Sequence, residues 1–359
     1  MSEGTPTDSN ASTVSGIVNR YKVERLKKYI FIAGVAVLTL VLIGIGLGVG
    51  AYEISFLEVY RCIWDRIMGG ELDSVDMRVV WDQRMPRMLT GIIVGAGLAA
   101  AGAAMQSMMK NPLADPYTTG ISSGAAFGAT IAIAFGISVV GGQYSIVVSA
   151  FLFALVPVTV ILFLSAVRNT TPATMILAGI SIMYIFNAMT SYIMLIVDEQ
   201  TMAAAYEWTI GTLGKASWNT VPIMATIVVV GVIGLFFLAK FLNAMNSGDA
   251  FAKSLGINVG RIRILTLFIV SVVAAGIVSF TGIIGFVGMV APHICRMFVG
   301  SDNKILIPSS MMLGMALVVF CDILAKIVST FVVPIGIITA IFGGPLFLFL
   351  VIKQKREVW

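Results

Sequence analysis

Side chains able to do chemistry are scarce in this chain, and their spacing suits none of the usual constellations. The single histidine, His293, has Cys295 two residues on. On a helix that spacing points them to different faces, so they cannot hold one metal ion, and His293 reads as structural. Cys62, Cys295 and Cys321 form no C-x-x-C pair, and the last two lie in apolar stretches where cysteine behaves as a small hydrophobe. No disulfide framework or metal cluster is indicated. Twenty methionines, among them Met85, Met88, Met105, Met108 and Met109, suit gap filling better than a copper or haem relay.

Two glycine motifs imitate nucleotide chemistry. Gly95-Ala96-Gly97-Leu98-Ala99-Ala100 fits the G-x-G-x-x-A form, but no strand precedes it and no acid follows about 20 residues on. It is a helix segment. Gly211-Thr212-Leu213-Gly214-Lys215-Ala216 is too short for a phosphate loop, and Ala216 stands where a Mg²⁺-binding hydroxyl is needed. ATP hydrolysis by this chain itself is not indicated.

The elements carrying these residues are set by composition. Of 359 residues, 58% are hydrophobic and 11% charged, against roughly a quarter charged in soluble domains. A bilayer core about 30 Å thick takes about 20 apolar residues per helical span. Apolar runs predict ten spans, near 30–51, 88–108, 118–137, 144–166, 174–197, 221–242, 264–281, 285–299, 305–329 and 335–352. The division at Thr281 to Gly285 needs a very short link. The fold class is an all-α polytopic membrane protein, with a disordered cytoplasmic tail over 1–19 and one transmembrane domain over 20–359. Arg20 to Lys28 resembles a signal-peptide flank, yet the apolar run after it has no cleavage site, so the first span stays.

Sixteen of the 23 Lys and Arg fall on one side of the predicted spans, with Lys110, Lys240, Lys253, Arg261, Arg263 and Arg296 among them. That side is the cytoplasm, and both termini lie there. The charge of +5 therefore reflects topology and not nucleic-acid binding. Seven acids between Glu53 and Asp82 mark an outer loop. Small residues in Gly91-x-x-x-Gly95 and Gly120-x-x-x-Gly124-x-x-x-Gly128 allow helix backbones to pack closely.

Three stretches resemble the permeases of type II ABC importers, the family handling cobalamin, haem and ferric siderophores. The first holds Arg84-Met85-Pro86-Arg87, Gln106, Lys110-Asn111-Pro112-Leu113-Ala114-Asp115-Pro116 and Gly120-Ile121-Ser122-Ser123-Gly124. The second runs from Leu255-Gly256-Ile257 through Gly285-Phe286-Val287-Gly288 to Ala291-Pro292-His293-Ile294-Cys295-Arg296. The third joins Pro334-Ile335-Gly336-Ile337-Ile338-Thr339 to Gly343-Gly344-Pro345-Leu346-Phe347. The resemblance implies a homodimer with the path at its interface, two partner ATPase subunits carrying ATP and Mg²⁺, and an extracytoplasmic binding protein. No cofactor is implied on this chain, and a ferric siderophore is the expected cargo because such substrates dominate the family.

The resemblance also implies roles for particular residues. Residues 246–263, with Asp249, Lys253, Leu255, Gly256, Ile257 and Arg261, resemble the ATPase-coupling segment. Arg84, Arg87 and Lys326 match basic positions that receive the binding protein, with interfacial snorkelling or an Asp322–Lys326 pair as the plainer readings. Asn111, Pro112 and Leu113 stand at the inner gate, or form an ordinary turn. Gly343, Gly344 and Pro345 are expected to break the tenth span beside the path, or to make a packing kink. The segment from Tyr206 to Trp218 reads as an aromatic interfacial belt, with part of the receptor for the binding protein as the other reading. A secondary transporter would need intramembrane ionisable residues, and Asp322, with Lys326 four residues on, is a poor proton route. A membrane enzyme would need a nucleophile and base that are not found.

Overall fold

A computed structural model describes residues 7–50, 52–70, 74–167, 171–328 and 333–353. In chain order the helices are α1 (Thr7–Gly48), α2 (Phe56–Ile67), α3 (Val75–Arg78), α4 (Met85–Met109), α5 (Ile121–Phe135), α6 (Ser145–Val167) and α7 (Pro172–Ile196). There follow α8 (Glu199–Thr209), α9 (Thr220–Asn246), α10 (Asp249–Ser254), α11 (Val259–Thr281), α12 (Val287–Val299), α13 (Asn303–Ile327) and α14 (Ile335–Lys353). A π-helical turn, Val79–Arg84, joins α3 to α4, and a 3-10 turn, Pro116–Thr119, precedes α5.

Seven helices among the described residues are long and apolar enough to cross a membrane, and α5, α12 and α14 are shorter apolar helices. Each of the ten predicted spans coincides with one of these. The short link at the doubtful division exists: Gly282 to Phe286 carries α11 into α12, and Ile283 pairs in parallel with Ile210 as an isolated bridge. Residues 7–19, expected to be a disordered tail, are helical and continuous with the first span. Helix propagation is easier than nucleation, and the last proline upstream is Pro6. Residues 1–6 lie outside the described ones.

Helix α4 is the axle of the bundle, buried along nearly all of its length against α9, α11, α12 and α13. Glycines make this possible. A Cβ on Gly95 would collide with the Gly314 carbonyl of α13, and one on Gly102 with the Gly288 carbonyl of α12. Gly124 and Gly128 likewise seat α5 on α6 at Phe153 and Ser149, where the Ser149 hydroxyl donates to the Gly128 carbonyl at 2.8 Å. Gly120 is a left-handed cap ahead of α5 and also lies close, against Pro157 of α6 and the Gly179 carbonyl of α7. Where lipid gives no hydrophobic drive between helices, such close backbone approach is a main source of attraction.

Two expectations are corrected here. The tenth span is not broken, because α14 runs through Gly343, Gly344 and Pro345 as one helix. A proline removes a single i to i−4 hydrogen bond, which a membrane helix accommodates by bending. Gly343 instead leaves room for Phe286, the capping residue of α12, which adopts φ +68. Nor do Trp208 and Trp218 form an interfacial belt. Trp208 is buried, while Trp218 stacks on Trp81 at 5.0 Å and donates its indole N–H to the Trp81 carbonyl at 2.9 Å. Only Tyr206 of these aromatics is well exposed.

Candidate functional site

Charged side chains gather at the two opposite ends of the bundle. At one end, the guanidinium of Arg84 is buried and donates to the carbonyls of Leu47 at 3.0 Å, Gly48 at 2.9 Å, and Tyr52. These are carbonyls at and beyond the last turn of α1, which a helix leaves without internal partners. Close by, Arg87 on α4 meets Asp322 on α13 at 2.8 Å, and Lys326 meets the same carboxyl at 2.8 Å. Lys326 also donates to the Gly46 carbonyl of α1 at 3.2 Å. The set ties α1, α4 and α13 together. The three cations expected to receive a binding protein are therefore engaged inside the chain, and the i,i+4 pairing of Asp322 with Lys326 is present.

At the other end, α9 stops at Asn246 and the chain turns through Gly248 into the six-residue α10. Leu255 closes α10, Gly256 turns with φ +77, and Asn258 accepts the Arg261 N–H at 3.1 Å to start α11. Gly248 and Gly256 interrupt the segment, whereas Gly260 lies inside α11. Leu255 and Phe251 are exposed, as are Lys253 and Arg261, whereas Ile257 is half-buried and packs on the core. A short helix with an apolar and basic outer face is thus presented beyond the bundle.

Asp249, the first residue of α10, bonds Lys110 at 3.0 Å and Arg263 at 2.6 Å. Burial pushes its carboxyl up, but the Lys110 hydrogen bond and the Arg263 charge outweigh this and hold it below the ordinary range. Sequence reasoning had placed Asp249 in the coupling segment but found no partner for it. Lys110 is 139 residues away, and Arg263, 14 residues on, lies across a turn on the next helix, so helical spacing reveals neither.

Lys110 caps α4 with φ +49. The next residues form a tight turn, in which the Asn111 side chain accepts the Leu113 N–H at 2.9 Å and the Asn111 carbonyl accepts the Ala114 N–H at 3.1 Å. Pro112 holds the turn and Leu113 is exposed. Asp115 follows, buried beside Gly288 of α12, its carboxylate accepting the Tyr117 N–H at 2.8 Å. A cleft of about 650 Å³ lies between Thr171, Pro172 and Met175 of α7 and the α10–α11 connection, with Asp249, Lys253 and Arg263 on its wall. His293 is buried against Phe347 at 6.1 Å. The described residues hold no group of three or more His, Cys, Asp or Glu placed to bind a metal ion.

The profile of the FecCD transport family matches residues 38–353. A Methanocaldococcus jannaschii chain described as an ABC transporter permease is 39% identical over 95% of this chain and 99% of its own length. The cobalamin import permease of Halobacterium salinarum is 39% identical, covering 78% of this chain and 74% of its own. The hemin transport permease of Yersinia pestis is 33% identical over 93% and 98%. Among solved structures, an ABC transporter assigned to the metal-chelate type, in an inward-facing conformation, aligns with a TM-score of 0.79. It is 31% identical and covers 90% of this chain and 99% of that one.

Proposed function

The chain belongs to the FecCD transport family and is the permease subunit of a type II ABC importer, and from this we propose that it carries a ferric siderophore by alternating access between two copies of itself. In this reading two separate ATPase subunits bind ATP and Mg²⁺, and an extracytoplasmic binding protein delivers the chelate. The permease needs no cofactor. Both termini face the cytoplasm, as does the basic α10 end. Residues 246–263 receive the ATPase, the Asn111–Leu113 turn forms the inner gate, and the Gly343–Pro345 stretch of α14 borders the path.

The observation that supports this most is the face of α7. Ser181, Tyr184, Asn187 and Ser191 lie on one side of that helix and are all exposed in the single chain. Polar side chains are costly against lipid, so such a face calls for a second copy or a water-filled path. Neither α7 nor α14 carries a charged residue before Lys353. A path lined by hydroxyl, amide and apolar groups suits a bulky chelate with its metal already wrapped, and relatives named for iron chelatin and Fe(3+)-citrate point the same way. Cobalamin is the second reading, favoured by the 39% identity to the Halobacterium permease.

The test is uptake into proteoliposomes holding this chain with its ATPase and binding protein. ATP-dependent accumulation of an iron-loaded siderophore, and not of hemin or cyanocobalamin, is the expected result. Accumulation of cyanocobalamin alone would move the cargo to the second reading, and uptake without ATP would overturn the importer.

A further inference from the structure

Asp249 touches more than its own segment. Through Arg263 it braces α10 on the start of α11, and through Lys110 it reaches the end of α4. The last turn of α4 is itself pinned to the rest of the bundle. Gln106 donates to the Met289 carbonyl of α12 at 3.0 Å, and the Ser107 hydroxyl donates to the Asn303 side chain of α13 at 2.7 Å. Lys110 adopts a left-handed conformation that side chains other than glycine and asparagine seldom take. It stands immediately before the Asn111–Leu113 turn.

We propose that the Asp249–Lys110 ion pair is the link that makes the end of α4, with the Asn111–Leu113 turn, move as one body with α10. The inference rests on the permease reading above and adds a route to it. The side chains of Lys110 and Asp249 are 32% and 37% exposed. Pairs that exposed contribute little to folding. Their value here is geometric, because one carboxylate joins the adjacent starts of α10 and α11 to the end of α4, 139 residues away in sequence. A push on α10 then reaches α4 without waiting for the whole of α11 to tilt, and Gln106 and Ser107 hand it to α12 and α13. Asp249 and Lys110 are positioning residues, since neither needs to touch the cargo.

The test uses the complex of this chain with its ATPase in lipid, with spin labels on Phe251→Cys and Leu113→Cys, both exposed positions. The three native cysteines are buried. The interspin distance is read in the nucleotide-free complex and in the vanadate-trapped complex. Because the complex holds two copies, doubly labelled chains are diluted with unlabelled ones to leave one labelled copy per complex; with Lys110 present, the same intrasubunit distance is expected in both states. Lys110→Gln should give a second, shifted distance in the trapped state, and Lys110→Arg should restore the single one. A distance that changes between states with Lys110 intact overturns the proposal, as does a Lys110→Gln complex that keeps the wild-type distance in both. If Lys110→Arg behaves as Lys110→Gln, the charge is not the link. Failure of the wild-type chain to bind any ATPase overturns the permease reading itself, and this inference with it.

Discussion

Arg84, Arg87 and Lys326 show how a cation can be assigned a surface role from its position and still be used internally. Their place at a span's mouth is visible in sequence, but the carbonyls of Leu47 and Gly48 that fill Arg84 are about 40 residues away and become partners only once α1 and α4 are packed. Among the described residues, Asp322 is the one carboxylate that pairs with both Arg87 and Lys326. Asp322→Asn would leave two half-buried cations facing a neutral amide, and breaking a fully buried pair costs roughly 3–5 kcal/mol, so a loss toward the lower end of that range is expected. Thermal unfolding in detergent micelles should show the loss, and a melting temperature equal to wild type would contradict it. Asp115 gives a pH-dependent case. Burial pushes its carboxyl up to about 6, against the pull of the Tyr117 N–H. A carboxyl with a higher pKa folded than unfolded weakens the fold as pH rises between the two values, here from about 4 to about 6. Asp115→Asn keeps the acceptor for Tyr117 and removes the charge. It should therefore stabilise at pH 8 by roughly 3 kcal/mol, the gain vanishing below about pH 4. A gain that does not vary with pH would contradict this cause.

The helices themselves were legible because a period of apolar residues about 20 long has one physical outcome in a bilayer. All ten spans were read from that pattern. The elements missed were α2, α3, α8 and the π-helical entry to α4, which are short, mixed in polarity and held by tertiary contacts such as the stacking of Trp81 on Trp218. The α14 break was over-read because proline tolerance depends on neighbours that sequence does not list. At this scale the glycine contacts make firm tests. Gly102→Ala drives a methyl into the Gly288 carbonyl, so α4 and α12 must separate, at a cost in the range of about 1–3 kcal/mol or more for overpacking. Loss of a monodisperse peak on size exclusion would register it, whereas a wild-type elution and melting temperature would show that the contact yields. Gly256→Pro tests the coupling segment. Gly256 sits at φ +77 and its N–H donates to the Lys253 carbonyl at 2.9 Å, and proline can supply neither. The variant should still insert, since Gly256 is exposed and lies between helices, but uptake should separate from ATP hydrolysis. Loss of insertion would count against a coupling role.

In the whole molecule, α4 acts as a rigid axle with engaged charges at both ends. Around it α7 and α14 leave faces that the single chain does not cover. Membership of the permease family was legible from motifs spread over most of the chain after residue 80, and in the structure those motifs carry turns, caps and close glycine contacts, such as the Lys110 cap of α4 and the approach of Gly288 to Gly102. The cargo was not legible, since α7 and α14 carry no charged residue before Lys353 whose type or spacing would single out a particular ligand. Two copies meeting on α7 should bring Tyr184 near its own counterpart, so Tyr184→Cys is expected to form a disulfide-linked dimer in oxidised membranes. A monomer under those conditions would place the polar face of α7 elsewhere. The most direct measurement is ATP hydrolysis by this chain copurified with its ATPase in lipid, with the binding protein empty or loaded with ferric siderophore, hemin or cyanocobalamin. Stimulation by the siderophore-loaded protein above the empty one is predicted. A stable complex that responds to none of the three would contradict the proposed cargo, and a chain that binds no ATPase would contradict the importer.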